Sequence, residues 1–191
     1  MALKQTVLRV AVLGVGAGLV LAGCGGSEEG TPTSQNSAGS AVPVSSAASA
    51  QWDPCSVPDS AISELGLNVA TKDNKVAGTE FDGWKACHWQ SVAKTYYVTV
   101  LSSEHTLAET QQRSDYEGYT PLTVGTHSAL EFRPVGATRD IECWVSAEVP
   151  NGTVDFKVMN RYGGQSGGQT AGDPCDEVQR LSAALAQYLP S

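Results

Sequence analysis

The pattern of apolar and polar residues divides this chain into three regions. Residues 7–22 are almost all Val, Leu, Ala and Gly, and Lys4 and Arg9 give that run a basic start. Residues 25–51 are rich in Ser, Gly, Ala, Thr and Pro and hold almost no large apolar side chain. In the rest of the chain, apolar residues recur with the periods of strands and helices. The pattern therefore predicts one folded domain over residues 52–191.

Alternation of apolar and polar residues predicts the strands of this domain. The predicted strands cover residues 86–90, 96–102, 129–134, 142–149 and 154–159. Asn151-Gly152 is a strong turn signal, so we expect the last two strands to form a hairpin. In that hairpin Asp155 and Lys157 share one face, which we expect to be solvated.

Helices are predicted over residues 58–65, residues 106–116 and from Pro174 to the end of the chain. In the last helix Asp173 is the expected N-cap and Pro190 the expected stop. Its apolar stripe consists of Val178, Leu181, Leu185 and Leu189. Residues 72–82 are expected to form a loop, with at most a weak strand. Paired strands separated from helices indicate an α+β fold: an antiparallel β-sheet with helices packed on one face.

The N-terminal region carries the motif Leu21-Ala22-Gly23-Cys24. A basic start, a short apolar run and small residues before a cleavage point are typical of a signal peptide, here residues 1–23. The run is shorter than the roughly 20 residues of a membrane-spanning helix. A cysteine directly after the cut is the acceptor of a diacylglycerol anchor in bacterial lipoproteins. We therefore expect lipidation of Cys24, with residues 24–51 as a flexible tether on the extracytoplasmic side of the cell membrane.

Charge restricts the partners of the mature chain. Removal of residues 1–23 takes away two of the 12 basic residues and none of the 20 acidic ones, which leaves a net charge of −10. Such a protein has no general attraction to phosphate backbones, so nucleic acid is excluded as a partner. An anionic membrane would repel it, so the lipid must hold it there. The expected partners are the membrane, through the lipid, and an unknown envelope protein or small ligand.

Four cysteines remain once Cys24 is assigned to lipid: Cys55, Cys87, Cys143 and Cys175. An even number in an oxidising compartment predicts two disulfides. No pair has the C-x-x-C spacing of a zinc ribbon, so no metal site is expected.

Three pairings of these cysteines are open. Asp-Pro-Cys precedes both the first and the last predicted helix, at residues 53–55 and 173–175, and the other two cysteines lie in strands. Linking each helix start to a strand favours Cys55–Cys87 and Cys143–Cys175. The crossed pairing, Cys55–Cys175 with Cys87–Cys143, remains an alternative.

Several of these features together resemble the DUF3558 family of predicted actinobacterial lipoproteins. They are the lipid-attachment motif, the tether, Asp53-Pro54-Cys55 before a short helix, Cys87-His88-Trp89 in an early strand, and one cysteine each in a late strand and before the C-terminal helix. The resemblance covers residues 52–189. It implies a compact domain at the cell envelope and brings no catalytic residues or cofactors.

The remaining chemistry does not assemble into a catalytic motif. The histidines, His88, His105 and His127, are far apart, and nothing in the sequence brings them together as metal ligands. Gly164-Gln165-Ser166-Gly167-Gly168 has the spacing Gly-x-Ser-x-Gly, but it lies within a Gly-rich stretch and not at a strand-to-helix turn, so we do not interpret it as a nucleophile elbow. The Gly-rich residues 163–168 have the glycine spacing of a phosphate-binding loop, but Gln169 stands where that loop needs Lys, so we interpret them as a plain loop. No catalytic residue and no cofactor is predicted.

Aromatic residues are the best candidates for a binding surface. Trp84 lies between Gly83 and Lys85, and Tyr116 and Tyr119 are expected to share its surface. The remaining core-type tryptophans, Trp89 and Trp144, are expected beside the disulfides. The leading hypothesis is a non-enzymatic envelope lipoprotein that binds a ligand or a partner. The alternatives are an envelope hydrolase whose site forms only in the fold, and a structural accessory to a membrane complex.

Overall fold

Seven strands form the framework of the domain. A computed structural model describes residues 51–76, 78–80, 82–137, 141–161 and 172–191. Residues 1–50, with the predicted signal peptide, Cys24 and nearly all of the tether, lie outside the described residues. So do the Gly-rich residues 163–168. Within the described residues, no helix is long and apolar enough to cross a membrane.

The strands form a single antiparallel sheet. They are β1 (Leu67–Asp73), β2 (Trp84–Ser91), β3 (Tyr96–Ser103), β4 (Tyr116–Val124), β5 (His127–Pro134), β6 (Glu142–Val149) and β7 (Gly152–Asn160). Their order in the sheet is β1-β2-β3-β7-β6-β5-β4, so the last strand of the chain is the central one. The predicted hairpin is present as β6 and β7, which pair from Glu142 with Met159 to Val149 with Gly152.

The turn of this hairpin requires a glycine. Gly152 has a φ of +136°, a conformation that other residues rarely adopt. A Cβ atom there would lie 2.0 Å from the carbonyl oxygen of Ser103. The turn therefore packs directly against the end of β3.

Three helices flank the sheet: α1 (Asp59–Glu64), α2 (Leu107–Gln111) and α3 (Pro174–Leu185). The carboxylate of Asp173 accepts a hydrogen bond from the backbone N–H of Cys175 at 2.8 Å, as expected of an N-cap. Asp53 does the same for the N–H of Cys55 at 2.9 Å, at the start of a short 3-10 turn. The repeated Asp-Pro-Cys motif thus marks the start of a helical turn in both places.

The hydrophobic core lies on one face of the sheet. Alternate residues of β7, namely Val154, Phe156 and Val158, are fully buried there, and α3 packs on β6 and β7. The four residues of the predicted α3 stripe are all buried: Val178, Leu181, Leu185 and Leu189. We call this the core face.

Helix α2 lies on the opposite face. It contacts β5 and β6, and its Thr110 lines a cavity together with Phe132 and Trp144. These two aromatic residues alternate with core residues such as Cys143 and therefore point away from the core. The structure shows a seven-stranded antiparallel sheet with a few helices, but not helices gathered on one face.

Both edge strands differ from the sequence prediction. β1 occupies residues that were expected to be partly loop, and β4 begins at Tyr116, where the second helix was expected to end. That helix already ends at Gln111. An edge strand has only one neighbour and here buries few side chains, so its sequence lacks the clear alternation of a half-buried strand.

Two residues lie in different surroundings from those predicted. Trp144 was expected in the core beside a disulfide, but it is half-buried on the opposite face. Asp155 was expected on a solvated face, but it is only 6% exposed. The reason is the same for both, since α2 and the start of β4 cover the face that the alternation alone marks as polar.

The two disulfides join Cys55 to Cys87 and Cys143 to Cys175, which is the pairing favoured from the sequence. Each links a helical turn to a strand of the core face. Glu131 lies near the second disulfide and accepts a hydrogen bond from Gln179 at 2.6 Å. Since the two sulfurs are bonded to each other, this group does not offer free thiolates to a metal.

Removal of the second disulfide through Cys143→Ser/Cys175→Ser is expected to lower the free energy of unfolding by about 3–4 kcal/mol. Each disulfide spans 32 residues, and restricting the unfolded chain over such a loop is worth about that much. Urea denaturation of both proteins measures the difference. The matched control, Cys55→Ser/Cys87→Ser, opens a loop of the same length and should lose a similar amount. A loss below about 1 kcal/mol would contradict the entropic argument.

Candidate functional site

A cavity of about 570 Å³ lies on the sheet face opposite the core. Strands β2, β3, β5, β6 and β7 contribute its floor and sides, and α2 with the residues that follow it closes one wall. Ten described residues line it: Trp84, Leu101, His105, Glu109, Thr110, Arg113, Tyr116, Phe132, Trp144 and Asp155. Its volume is within the range of pockets that bind small organic molecules. We call it the aromatic cavity.

The register of the sheet places the floor residues side by side. Asp155 of the central strand pairs with Leu101 on one side and with Ser146 on the other. In the next row of the same face, Trp144 pairs with Phe132. Directly paired residues point to the same face, so two rows of the sheet supply a continuous surface.

Three aromatic rings pack together at one end of the aromatic cavity. The ring of Tyr116 meets Phe132 edge-on at 4.9 Å between centroids and Trp144 edge-on at 5.6 Å. Phe132 and Trp144 are nearly parallel, at 13° and 6.1 Å. Such arrangements are favourable beyond the burial of area and hold the rings in fixed positions.

The residues predicted as a binding surface come together here in part. Trp84 and Tyr116 both line the aromatic cavity, and the Trp84 ring is 5.4 Å from that of His105. Tyr119 does not line it. Its hydroxyl donates to the carbonyl oxygens of Thr110 at 2.8 Å and Arg113 at 3.1 Å, so it supports the wall from behind.

Of the three histidines, only His105 lines the aromatic cavity. His127 bonds through Nδ1 to the carbonyl oxygen of Glu148 at 2.8 Å, elsewhere on the sheet. His88 pairs with Thr99 midway along β2 and β3. In the described part of the chain the three imidazoles do not meet, and His105 Nδ1 is 3.8 Å from Glu109 Oε2.

Two cations lie on the aromatic walls, each paired with a carboxylate. The Arg113 guanidinium is 4.5 Å from the centroid of Tyr116 and is held by Asp115 through contacts of 2.6 and 3.1 Å. This pairing lowers the pKa of Asp115. Lys157 Nζ is 5.0 Å from the centroid of Trp144. Burial raises the pKa of Tyr116 to about 12, so its hydroxyl is neutral.

Glu142 is the carboxylate that pairs with Lys157. It accepts from Lys157 at 3.1 Å and from the indole N–H of Trp144 at 2.6 Å. Glu109 is held in a different way, because it forms a capping box with Thr106 at the start of α2. The backbone N–H of Thr106 lowers the pKa of Glu109.

Asp155 is the exception among these carboxyl groups. It lies on the cavity floor, it is buried, and its Oδ1 atom has no hydrogen-bond partner among the described residues. Ser146 Oγ, on the paired residue, also lacks a partner that meets hydrogen-bond distance and angle. Burial raises the pKa of Asp155 to about 6, although the nearby hydroxyls of Ser146 and Thr153 and the charge of Arg113 act in the other direction.

Comparison with known proteins gives one result. The family model described as a protein of unknown function, DUF3558, matches residues 19–188. The chain belongs to the DUF3558 family. No curated protein and no solved structure is significantly similar to it. Within this DUF3558 chain, the family match covers every residue that lines the aromatic cavity.

Sequence reasoning missed part of this site. Asp155 was assigned to a solvated face, Trp144 to the core, and Phe132 and Arg113 were given no role. The alternation of apolar and polar residues correctly placed Asp155 and Lys157 on the face opposite Phe156. It did not reveal that α2 and β4 cover this face and form a cavity there in this DUF3558 protein.

Asp155→Asn is expected to stabilise the ligand-free protein above pH 6 by about 2–3 kcal/mol. With a folded pKa of about 6, above the usual value of an aspartate, ionisation of Asp155 opposes folding. Wild-type stability should therefore fall as the pH rises from about 4 to about 6 through this group. At about pH 3, below the pKa of an unfolded aspartate, the carboxyl is largely protonated in both states, and the difference between variant and wild type should nearly vanish. Urea denaturation at about pH 3 and about pH 8 measures both values.

The control is Glu148→Gln. Glu148 lies on the neighbouring strand and the same face, but it is exposed. It should change stability little at either pH. An Asp155→Asn variant that is less stable than wild type at pH 8 would show that the carboxylate has a stabilising partner.

Proposed function

We propose that this protein is a membrane-anchored extracytoplasmic lipoprotein that binds a small ligand in the aromatic cavity. The aromatic cavity is the observation that carries the proposal. It is concave, it is walled by four aromatic side chains, and a few polar groups converge on it. These are the usual properties of a small-molecule site, whereas a docking surface for a protein is flatter.

The arrangement of polar groups favours binding over hydrolysis. A hydrolytic site needs a base within hydrogen-bond reach of the group that it activates. His105 Nδ1 and Glu109 Oε2 are 3.8 Å apart, and the Glu109 carboxylate is already bound at the N-terminus of α2. Both side chains are 60% exposed, which gives no desolvated environment for proton transfer. These features support a binding protein without enzymatic activity.

The location at the membrane rests on the N-terminal sequence. The motif at residues 21–24 and the Ser-rich residues that follow support a lipid anchor and a tether, as in predicted lipoproteins of the actinobacterial type.

Protein isolated from the membrane fraction of its native host is expected to carry a small molecule in the aromatic cavity. Native mass spectrometry of the intact protein would detect it as an added mass. Leu101→Trp fills the cavity from its floor and should reduce the occupied fraction at least about tenfold, because a packed site has no room for a ligand.

The matched control for this experiment is Thr99→Trp. Thr99 lies on the same strand and the same face as Leu101, two residues earlier, and it does not line the cavity. It should retain the bound molecule. An unliganded wild type, or equal occupancy in the two variants, would contradict the proposal.

Cys24→Ala is expected to give a larger species without lipid, because both acylation and the following cleavage require the thiol. Electrophoresis and intact-mass measurement of the membrane and soluble fractions distinguish the forms. Ser27→Ala, three residues away in the tether, should be processed normally. An acylated Cys24→Ala protein would disprove the anchor.

A further inference from the structure

Both cations beside the aromatic cavity are already paired with carboxylates. Arg113 is bound by Asp115 through two hydrogen bonds, and Lys157 is bound by Glu142 at 3.1 Å. These cations need no further anion, and their carboxylates are not available to a ligand. Two further carboxyl groups line the cavity: Glu109 is exposed and bound at the N-terminus of α2, whereas Asp155 is buried on the floor.

Asp155 is placed to interact with a ligand. It is 6% exposed, yet it is one of the residues that line the cavity, and its Oδ1 has no partner in the described part of the chain. Proteins rarely leave a buried carboxyl oxygen without a hydrogen bond, because desolvation is not offset. The neighbouring Ser146 Oγ is unpartnered as well. The Ser146 hydroxyl can donate to the carboxylate, but no ion pair joins Asp155 to a cation among the described residues.

The surrounding rings also suit a positively charged ligand. Aromatic faces attract cations, and the walls already hold two, Arg113 at Tyr116 and Lys157 at Trp144. Each of these is neutralised by its own carboxylate, so a further cation would not face an uncompensated positive charge from them. Among the described residues, no Lys or Arg lies over the ring of Phe132 or Trp84.

We propose that the ligand is an organic ammonium ion with an apolar or aromatic body. Its nitrogen donates to the Asp155 carboxylate on the cavity floor, and its body packs against Tyr116 and Phe132. This inference rests on the proposed function, since it names the ligand class of the same cavity. A purely apolar ligand would leave the charge of the Asp155 carboxylate without a cation, and an anionic ligand would be repelled by it.

The test compares two probes that differ in one group, the 2-phenylethylammonium ion and 2-phenylethanol. Isothermal titration calorimetry at pH 7.5 would use the full lipidated chain in phosphatidylcholine nanodiscs, with empty nanodiscs as the blank. The ammonium probe is expected to bind at least about tenfold more tightly than the alcohol, because its hydrogen bond to the carboxylate is charge-assisted. Asp155→Asn should remove that advantage and leave the affinity for the alcohol within about twofold of wild type.

The control Glu148→Gln removes an exposed carboxylate from the same face and should leave the preference for the ammonium probe intact. Equal binding of the two probes to wild type, abolished by Leu101→Trp, would overturn the ammonium inference and leave the binding function standing. Binding of neither probe would overturn the inference as well. The proposed function would then be judged separately, by the mass of the molecule that is carried from the envelope.

Discussion

The two-residue alternation of the central strand β7 sets the arrangement of the whole domain. β7 pairs with β3 on one side and β6 on the other, so its register fixes both halves of the sheet. Phe156 points into the core, and Asp155 points into the aromatic cavity. A slip of one residue would exchange the two, burying a carboxylate in the core and placing a phenyl ring on the cavity floor. Core packing and the chemistry of the cavity therefore depend on the same pairing.

A buried ionisable group that has hydrogen-bond partners differs physically from a buried ionisable group that lacks one. Tyr96 donates to Glu177, and Glu177 is also bound by Arg180 at 2.5 Å, so this cluster satisfies its own groups between β3 and α3. Burial raises the pKa of Tyr96, and so does its hydrogen bond to Glu177. The raised pKa here therefore reflects a structural contact between β3 and α3. Asp155 has a raised pKa for the same first reason, yet its Oδ1 remains without a partner. A destabilising group retained beside a cavity is typical of a functional site.

The sequence predicted the structure best in elements that bury one face along their whole length. The α3 stripe, the β6–β7 hairpin and the cysteine pairing all follow from local signals that long-range contacts do not override. The edge strands β1 and β4 were less clear, since they bury few side chains and so show little periodicity. The aromatic cavity depends on where α2 and Tyr116 meet β5 and β6. That juxtaposition comes from tertiary packing, so local periodicity does not reveal it. Trp84 and Tyr116 were singled out by residue type, whereas Asp155 was not.

The two faces of the sheet are also held by different kinds of interaction. Both disulfides reach strands through residues of the core face, Cys87 and Cys143, and fix the helical turns that cover it. The cavity wall formed by α2 is a five-residue helix, held by a capping box and by the hydroxyl of Tyr119. Such contacts contribute about 1 kcal/mol each, against about 3–4 kcal/mol for a disulfide of this span. We therefore expect local opening to begin at α2. Such opening would expose the Asp155 carboxyl while the core stayed folded, and a ligand would reach it without global unfolding.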